Sequence, residues 1–348
     1  MERQGRLLVS SGTPELAFKV IASEGLDDLP EDVDTVRLRL PRRPAVARIV
    51  WFYLRSGSVI RRHRRACDVV HTCGAITRAR VDVATVHLCQ AAASREATGY
   101  QRGWRRLNSA AARVAARAIE RHCYQPQRVK SLIAVSSAIA NELNENYPDV
   151  EHLTIPNGVK VSSLNPLTDR ANESRELVRA VMVTGDFALK GVDTVIESLA
   201  LARHVSLTVV GPGESDHLMA IARRLGVENR VVFTGFVEDV GPYYGESDIV
   251  VCASHYESFG LFLVEGALSG CAIVSNEVGI APDLVGPGDG GIIVQRSAVA
   301  YADAFNELDA DRERMFTCGE VARRRASAFT SDAMVSSYAS FYATVAPS

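Results

Sequence analysis

Between residues 180 and 275 one pattern recurs, and it narrows the possible folds more than any other feature of the chain. Short runs of β-branched and apolar residues close on glycine or small polar residues: Ala180-Val181-Met182-Val183-Thr184-Gly185, Val205–Val210 before Gly211-Pro212-Gly213, Val231–Val237, Asp248–Cys252 and Cys271–Ser275. Helical stretches, such as Val192–Ala202, separate them. Runs this short and continuously apolar are strands buried on both faces, and their alternation with helices predicts a parallel, Rossmann-like sheet.

The stretch Ser254–Gly270 reads as a polar loop leading into a short helix that Gly270 stops, with Cys271–Ser275 as the next strand. It places Glu257 at the carboxyl end of a strand, where ligands bind in open α/β sheets. A helix N-terminus at that point offers N–H groups to anions. Glu257 and Glu265 lie eight positions apart. If all eight residues were helical they would rise about 12 Å. That exceeds the roughly 5–9.5 Å between the paired carboxylates of glycosidases. With residues 257–259 in a loop the separation stays open.

With 348 residues, 47% of them hydrophobic, the chain can bury a large core, and its length favours two domains. The seven cysteines are scattered without a C-x-x-C pair, so neither a disulfide framework nor a zinc site is expected. No apolar run approaches the roughly 18 residues of a membrane span, and Met1–Arg6 leads into no secretory signal, so a cytoplasmic location is expected. Residues 1–170 hold 26 Lys and Arg against 17 Asp and Glu, a balance of +9. The remainder holds 13 against 24, a balance of −11. Such a split marks either two domains with different surfaces or halves with different partners.

In the first half, Gly5–Ser10, Ala17–Ala22 and Val36–Leu40 read as strands. The gap between the first two is too short for a crossover helix, so either they form a hairpin or a helix is missing. Residues 45–65 form a basic amphipathic helix, with Ile49, Phe52, Tyr53, Val59 and Ile60 on one side and Arg48, Arg55 and Arg62 on the other. It is either an ordinary surface helix or an attachment surface for an anionic membrane or acidic acceptor. Strands follow at Asp68–Gly74 and Val81–Leu88, the second carrying His87 near its end. A lone histidine there is either a hydrogen-bonded structural residue or an active-site group. A helix over residues 104–123, a strand over 131–135 ending at Ser136-Ser137, which can cap a helix over Ala138–Asn144, and a strand with a Pro156-Asn157-Gly158 turn complete this half. The polar stretch 162–176 suggests a boundary, giving domains at 1–165 and 176–320 and a C-terminal helical segment at 321–348.

Lys190-Gly191, Gly211-Pro212-Gly213, Gly235-Phe236-Val237, Tyr243-Tyr244 with Asp248, Glu257-x7-Glu265 and Gly279 stand in the order and spacing of family 4 retaining glycosyltransferases. The chain resembles that family over about residues 60–330, with a likeness to lipopolysaccharide-core glucosyltransferases. Asp68–His71, the His87 strand and Ile155–Val159 match more loosely. The resemblance implies an α/β GT-B fold, two Rossmann-like domains with parallel sheets facing across a cleft, the second holding a nucleotide sugar without a metal or other cofactor. It implies donor contacts at Gly185, Lys190, Gly211, Gly213, Phe236, Val237, Glu257, Ser258, Phe259, Gly260, Leu261 and Glu265. Glu265 would bond the ribose and Glu257 the donor sugar, with Lys190 and the N–H groups at 259–261 stabilising the leaving diphosphate. His87 corresponds to the family's first-domain histidine near sugar and acceptor. The catalytic set implied is His87, Lys190 and Glu257.

The expected reaction is retaining hexose transfer from a UDP- or GDP-sugar to a glycolipid, polysaccharide or other glycoconjugate. Peripheral contact with an anionic membrane is the expected association, and nucleic acid is not an expected partner. The alternatives are a nucleotide-sugar-binding protein with little transferase activity and a nucleotide-sugar epimerase. Glycines 211 and 213 do not complete a dinucleotide fingerprint, which argues against a redox cofactor. Three departures stand out: Asp186-Phe187 where the family often has Arg, Ala272 for a frequent Pro, and no glycine-rich loop or helix between Ser10 and Phe18. The last implies either a diverged start or a missing original N-terminus.

Overall fold

A computed structural model describes residues 3–11, 16–41, 45–93, 104–161 and 176–346. The chain divides into two units, one of Met1–Gly158 with Ser331–Ser348, the other of Val159–Thr330. The second unit is therefore an insertion between the first and last parts of the first. Residues 162–175, where the sequence suggests a boundary, lie outside the described residues.

The second unit is a six-stranded parallel sheet among the described residues. Its strands are β7 (Val178–Val183), β8 (Val205–Val210), β9 (Val231–Gly235), β10 (Ile249–Cys252), β11 (Ala272–Ser275) and β12 (Gly291–Ile293), in spatial order β12-β11-β10-β7-β8-β9. Helices α6 (Val192–Leu199), α7 (Asp216–Leu225), α8 (Gly241–Glu246), α9 (Leu261–Leu268), α10 (Ala281–Val285), α11 (Ala298–Ala310) and α12 (Arg312–Ala326) lie between and after the strands. Successive strand residues turn to opposite faces. Val178, Ala180 and Met182 join Leu207, Val209, Ile249 and Val251 in one apolar cluster, closed by Val195, Ile196 and Leu199 of α6 and Phe305 of α11. Buried Val181 and Val250 lie outside that cluster, so the sheet is covered on both faces.

The strand order decides where a ligand can sit. From β7 the chain steps outward through β8 and β9, then returns to the other side of β7 with β10. β7 and β10 are direct parallel neighbours, Ile249 opposite Ala180. The order reverses between them, and the loops leaving their carboxyl ends flank the crevice that α/β sheets use for ligands.

In the first unit, β3 (His71–Cys73), β4 (Val81–Val86), β5 (Val129–Ala134) and β6 (Glu151–Thr154) form a four-stranded parallel sheet in chain order, and β1 (Lys19–Ala22) pairs in parallel with β2 (Asp34–Arg37) in a separate sheet. Helices α2 (Ala45–His63), α3 (Gln90–Ala93), α4 (Trp104–Cys123) and α5 (Ser137–Asn146) belong here. The Ser136 hydroxyl accepts from the Ile139 N–H and caps α5.

The expected strand at 5–10 is instead helix α1 (Arg3–Val9). The run is short enough for either form, and tertiary packing decides: Leu8 joins Met334, Tyr338 and Tyr342 of the last helix, α13 (Ser331–Val345), in the unit's apolar cluster. A hairpin between the first two expected strands is thereby excluded. The helical pattern over 323–342 is also divided, α12 ending at Ala326 in one unit and α13 starting at Ser331 in the other.

Candidate active site

Two loops leave the paired carboxyl ends of β7 and β10. The β10 loop is fastened from several sides. The Asn276 amide donates to Ser254 O at 3.0 Å, the His255 N–H to Leu189 O at 2.9 Å, and the Ile280 N–H to Phe259 O at 2.7 Å. The Tyr301 hydroxyl bonds Cys252 O and reaches Asn276 Oδ1 at 3.2 Å. Burial, with Glu257 nearby, pushes the Cys252 thiol pKa up, so this cysteine is an uncharged packing residue. Gly260 ends the loop in the left-handed region, φ 92°, as the N-cap of α9.

The His255–Leu189 bond joins this loop to the one that carries Lys190. There the Leu189 N–H donates to Asp186 Oδ1 at 3.0 Å and the Lys190 N–H to Asp186 O at 3.0 Å. Asp186, where the family resemblance expected arginine, thus shapes the turn. Gly191 follows at φ 65°, and a Cβ there would lie 2.3 Å from Ala253 O, so only glycine lets the two loops touch. The result is an ion pair between Lys190 Nζ and Glu257 Oε2, with side chains 20% and 12% exposed. Sequence reasoning assigned these residues to phosphate and sugar separately; the fold brings them together.

α9 begins at Leu261, so Glu257 lies in the loop, and a span of eight helical residues does not apply to the two carboxylates. The Phe259 N–H, expected to serve an anion, donates to Glu257 Oε1 at 3.4 Å. Glu265, on α9, is 8% exposed and accepts from the Tyr244 hydroxyl at Oε2, 3.0 Å. Tyr244 belongs to the quoted Tyr-Tyr motif, yet nothing in that spacing shows that its ring turns inward toward Glu265.

The remaining expected donor residues divide by task. A Cβ at Gly213 would lie 2.5 Å from the Phe187 ring, and one at Gly211 2.1 Å from Thr184 O, so these glycines permit close packing. Gly185 and Phe236 are exposed, Phe236 by 74%, and Val237, Ser258 and Leu261 are half-buried, while Phe259 and Gly260 are buried. Gly279 joins the set: a Cβ there would meet Phe259 O at 2.4 Å and Glu257 Cγ at 3.0 Å.

His87 lies in the first unit, half-buried, directly after β4. Behind it is a network with no sequence signature. The ring nitrogens of His71 pair with the Tyr342 hydroxyl (2.5 Å) and Thr85 Oγ1 (2.7 Å), and Thr85 Oγ1 with the Tyr338 hydroxyl (2.9 Å). Burial, then repulsion from His87, lowers the His71 pKa to about 4. A second network centres on buried Glu120, which accepts from the Gln90 N–H (2.8 Å), the Ala91 N–H (3.0 Å) and the Tyr147 hydroxyl (2.8 Å), anchoring the start of α3 just beyond His87. Burial raises the Glu120 pKa.

Residues 178–311 match the family model Glycosyl transferases group 1, and residues 15–163 match Glycosyltransferase Family 4. The chain belongs to the family 4, group 1 glycosyltransferases. Among curated members of the family, N-acetyl-alpha-D-glucosaminyl L-malate synthase of Bacillus anthracis is 32% identical over 139 residues, 39% of this chain and 36% of that protein. The lipopolysaccharide core biosynthesis glycosyltransferase LpsE of Rhizobium meliloti is 33% identical over 134 residues, 38% and 39% of the two chains. D-inositol 3-phosphate glycosyltransferase of Corynebacterium aurimucosum is 36% identical over 126 residues, 35% and 30%. These matches span 30–39% of the relatives' own lengths. In structure, WaaG, a glycosyltransferase involved in lipopolysaccharide biosynthesis, superposes with TM-score 0.77 at 20% identity over 98% of this chain and 95% of its own. Sucrose-phosphate synthase from Thermosynechococcus elongatus gives 0.75 at 20%, over 99% and 92%. The fold of this family 4 member is GT-B.

Proposed function

We propose that this chain transfers a hexose from a nucleoside-diphosphate sugar, UDP- or GDP-linked, to a glycolipid, polysaccharide or other glycoconjugate hydroxyl, with retention at the anomeric carbon. The observation that carries this reading is the Lys190–Glu257 pair at the N-terminus of α9, with Glu265 on the same helix, at the point where the strand order reverses. The relatives named for lipopolysaccharide core biosynthesis and as a D-inositol 3-phosphate glycosyltransferase, and a fold neighbour, Anabaena HepE, solved with UDP-glucose (TM-score 0.63, 19% identity, over 90% of this chain and 86% of its own), support it.

In this reading an incoming diphosphate competes with Glu257 for Lys190. The ammonium and the first-turn N–H groups of α9 then neutralise the charge that grows on the leaving phosphate as its bond to the anomeric carbon breaks. Glu257, released, accepts hydrogen bonds from hydroxyls of the sugar, and the acceptor hydroxyl oxygen forms the new bond on the same face as its proton passes to the departing phosphate oxygen. With these donors in place we propose that no metal is required. His87, from the family resemblance and its place after β4, is assigned to the acceptor side. The helix α2 is proposed as a contact with an anionic membrane surface.

The test is mass spectrometry of products formed from a panel of UDP- and GDP-sugars with a lipid extract, with EDTA present and absent. A mass gain of one hexose, retained configuration by NMR and indifference to EDTA are expected. Binding of nucleotide sugars with no release or transfer across the panel sinks the transferase reading in favour of a binding protein. Lys190→Ala is expected to lower turnover about 100-fold or more, as loss of a charge-stabilising donor does, and Glu265→Ala to raise the donor KM. Unchanged kinetics in both remove the site assignment.

A further inference from the structure

We propose that Tyr244 is a positioning residue for Glu265, holding the carboxylate in the orientation in which it receives the ribose hydroxyls of the donor. This rests on the donor-site reading above. Tyr244 is among the largest side chains in the protein with no solvent exposure. Phenylalanine would fill that space without a hydroxyl to desolvate, and a buried hydroxyl is costly unless it is paired. The Tyr244 hydroxyl donates to the carboxylate of Glu265, 3.0 Å away and itself nine-tenths buried.

The two side chains meet on a rigid frame. The Cys271 thiol shares its one proton between Tyr244 O at 3.4 Å and Ser247 O at 3.2 Å, tying α8 to the start of β11. The Ser269 hydroxyl donates to Glu265 O at 3.0 Å. One residue beyond Glu265, a Cβ at Gly266 would lie 2.7 Å from the Val250 side chain, so α9 rests directly on β10. A Tyr hydroxyl fixed on one carboxylate oxygen then sets the plane of the whole group. A vicinal diol presents two donors, and a carboxylate held in one plane accepts both without first losing rotational freedom.

Isothermal titration of the full chain with UDP and GDP, and with the 2′,3′-dideoxy form of whichever binds, tests this without an acceptor. The wild type is expected to bind the parent nucleotide about 10-fold more tightly than the dideoxy form. Tyr244→Phe is expected to weaken the parent by about 5-fold, the scale of one hydrogen bond, and to leave the dideoxy affinity unchanged. In a Glu265→Gln background Tyr244→Phe is expected to add nothing. Tyr244→Met serves as a second hydroxyl-free variant if the first does not fold, and intact dideoxy binding shows that the pocket is formed. Equal weakening of both nucleotides, or no change in either, overturns the positioning role. A wild type that binds parent and dideoxy forms equally, or binds neither UDP nor GDP, removes instead the ribose reading of Glu265, and the proposal with it.

Discussion

At the scale of single residues, chemistry here depends on which polar groups burial forces together. His71 illustrates it. Unfolded, its imidazole takes up a proton near pH 6.5; folded, between Thr85 and Tyr342 with His87 and Tyr338 beside it, only near pH 4. Between those values the unfolded chain binds more protons, so stability rises with pH and is lost as pH falls through that window, by up to about 3 kcal/mol. Urea midpoints between pH 7 and pH 4 are expected to drop accordingly, and to drop less in His71→Gln; an identical slope in the variant refutes the assignment. Lys190 and Glu257 stand out as site candidates from their motifs. Their mutual ion pair does not, because 66 residues separate them and only strand order makes their loops neighbours.

Among the elements, one close approach shapes the candidate site. Gly191 lets the β7 loop rest on Ala253. Gly191→Ala forces both a left-handed alanine and a 2.3 Å contact with a backbone oxygen. It is expected to cost about 2 kcal/mol or more and to raise donor KM by displacing Lys190, read by denaturant unfolding and initial rates. The basic helix α2 starts where its periodicity predicts and ends at His63, and it turns Arg55 and Arg62 outward as expected, but its exposed face carries apolar residues as well. Trp51, 44% exposed, lies near exposed Val50, Leu54 and Arg55, with the Arg55 guanidinium over the Trp51 ring, and Arg61 and Arg62 are exposed toward the end of the helix. An apolar patch flanked by arginine suits the headgroup layer of an anionic membrane. Co-sedimentation with vesicles containing anionic lipid is expected to fall when Trp51 and Leu54 become serine, and again when Arg61 and Arg62 are neutralised. Binding that ignores both changes leaves α2 a plain surface helix.

At the scale of the molecule, the chain leaves the first unit at Gly158 and returns to it at Ser331. Met334, Tyr338 and Tyr342 of α13 pack with Leu8, Val83, Ile133 and Ile155 in that unit's core, and Tyr342 and Tyr338 also hold His71 and Thr85. The last helix is thus part of the first unit's core. Removing residues 331–348 is expected to expose that cluster and abolish cooperative unfolding of the first unit, seen by calorimetry and dye binding. A truncated protein that melts as the full chain does refutes this. Among the described residues no helix is long and apolar enough to cross a membrane.

Local pattern in the chain fixes the parallel α/β class, five of the six described strands of the second unit (β7 to β11), its helices α6 and α9, and the motif residues, because these depend on local apolar runs, glycine punctuation and helix spacing; it leaves out β12, α8, α10 and α11. It misread residues 5–10, whose short apolar run suits a strand or a helix until α13 supplies a surface to pack on. The tertiary structure alone decided the strand order, the insertion of one unit within the other, the pairing of Lys190 with Glu257 and the grip of Tyr244 on Glu265. Each is a contact between residues far apart in the chain, and local pattern holds no record of such contacts.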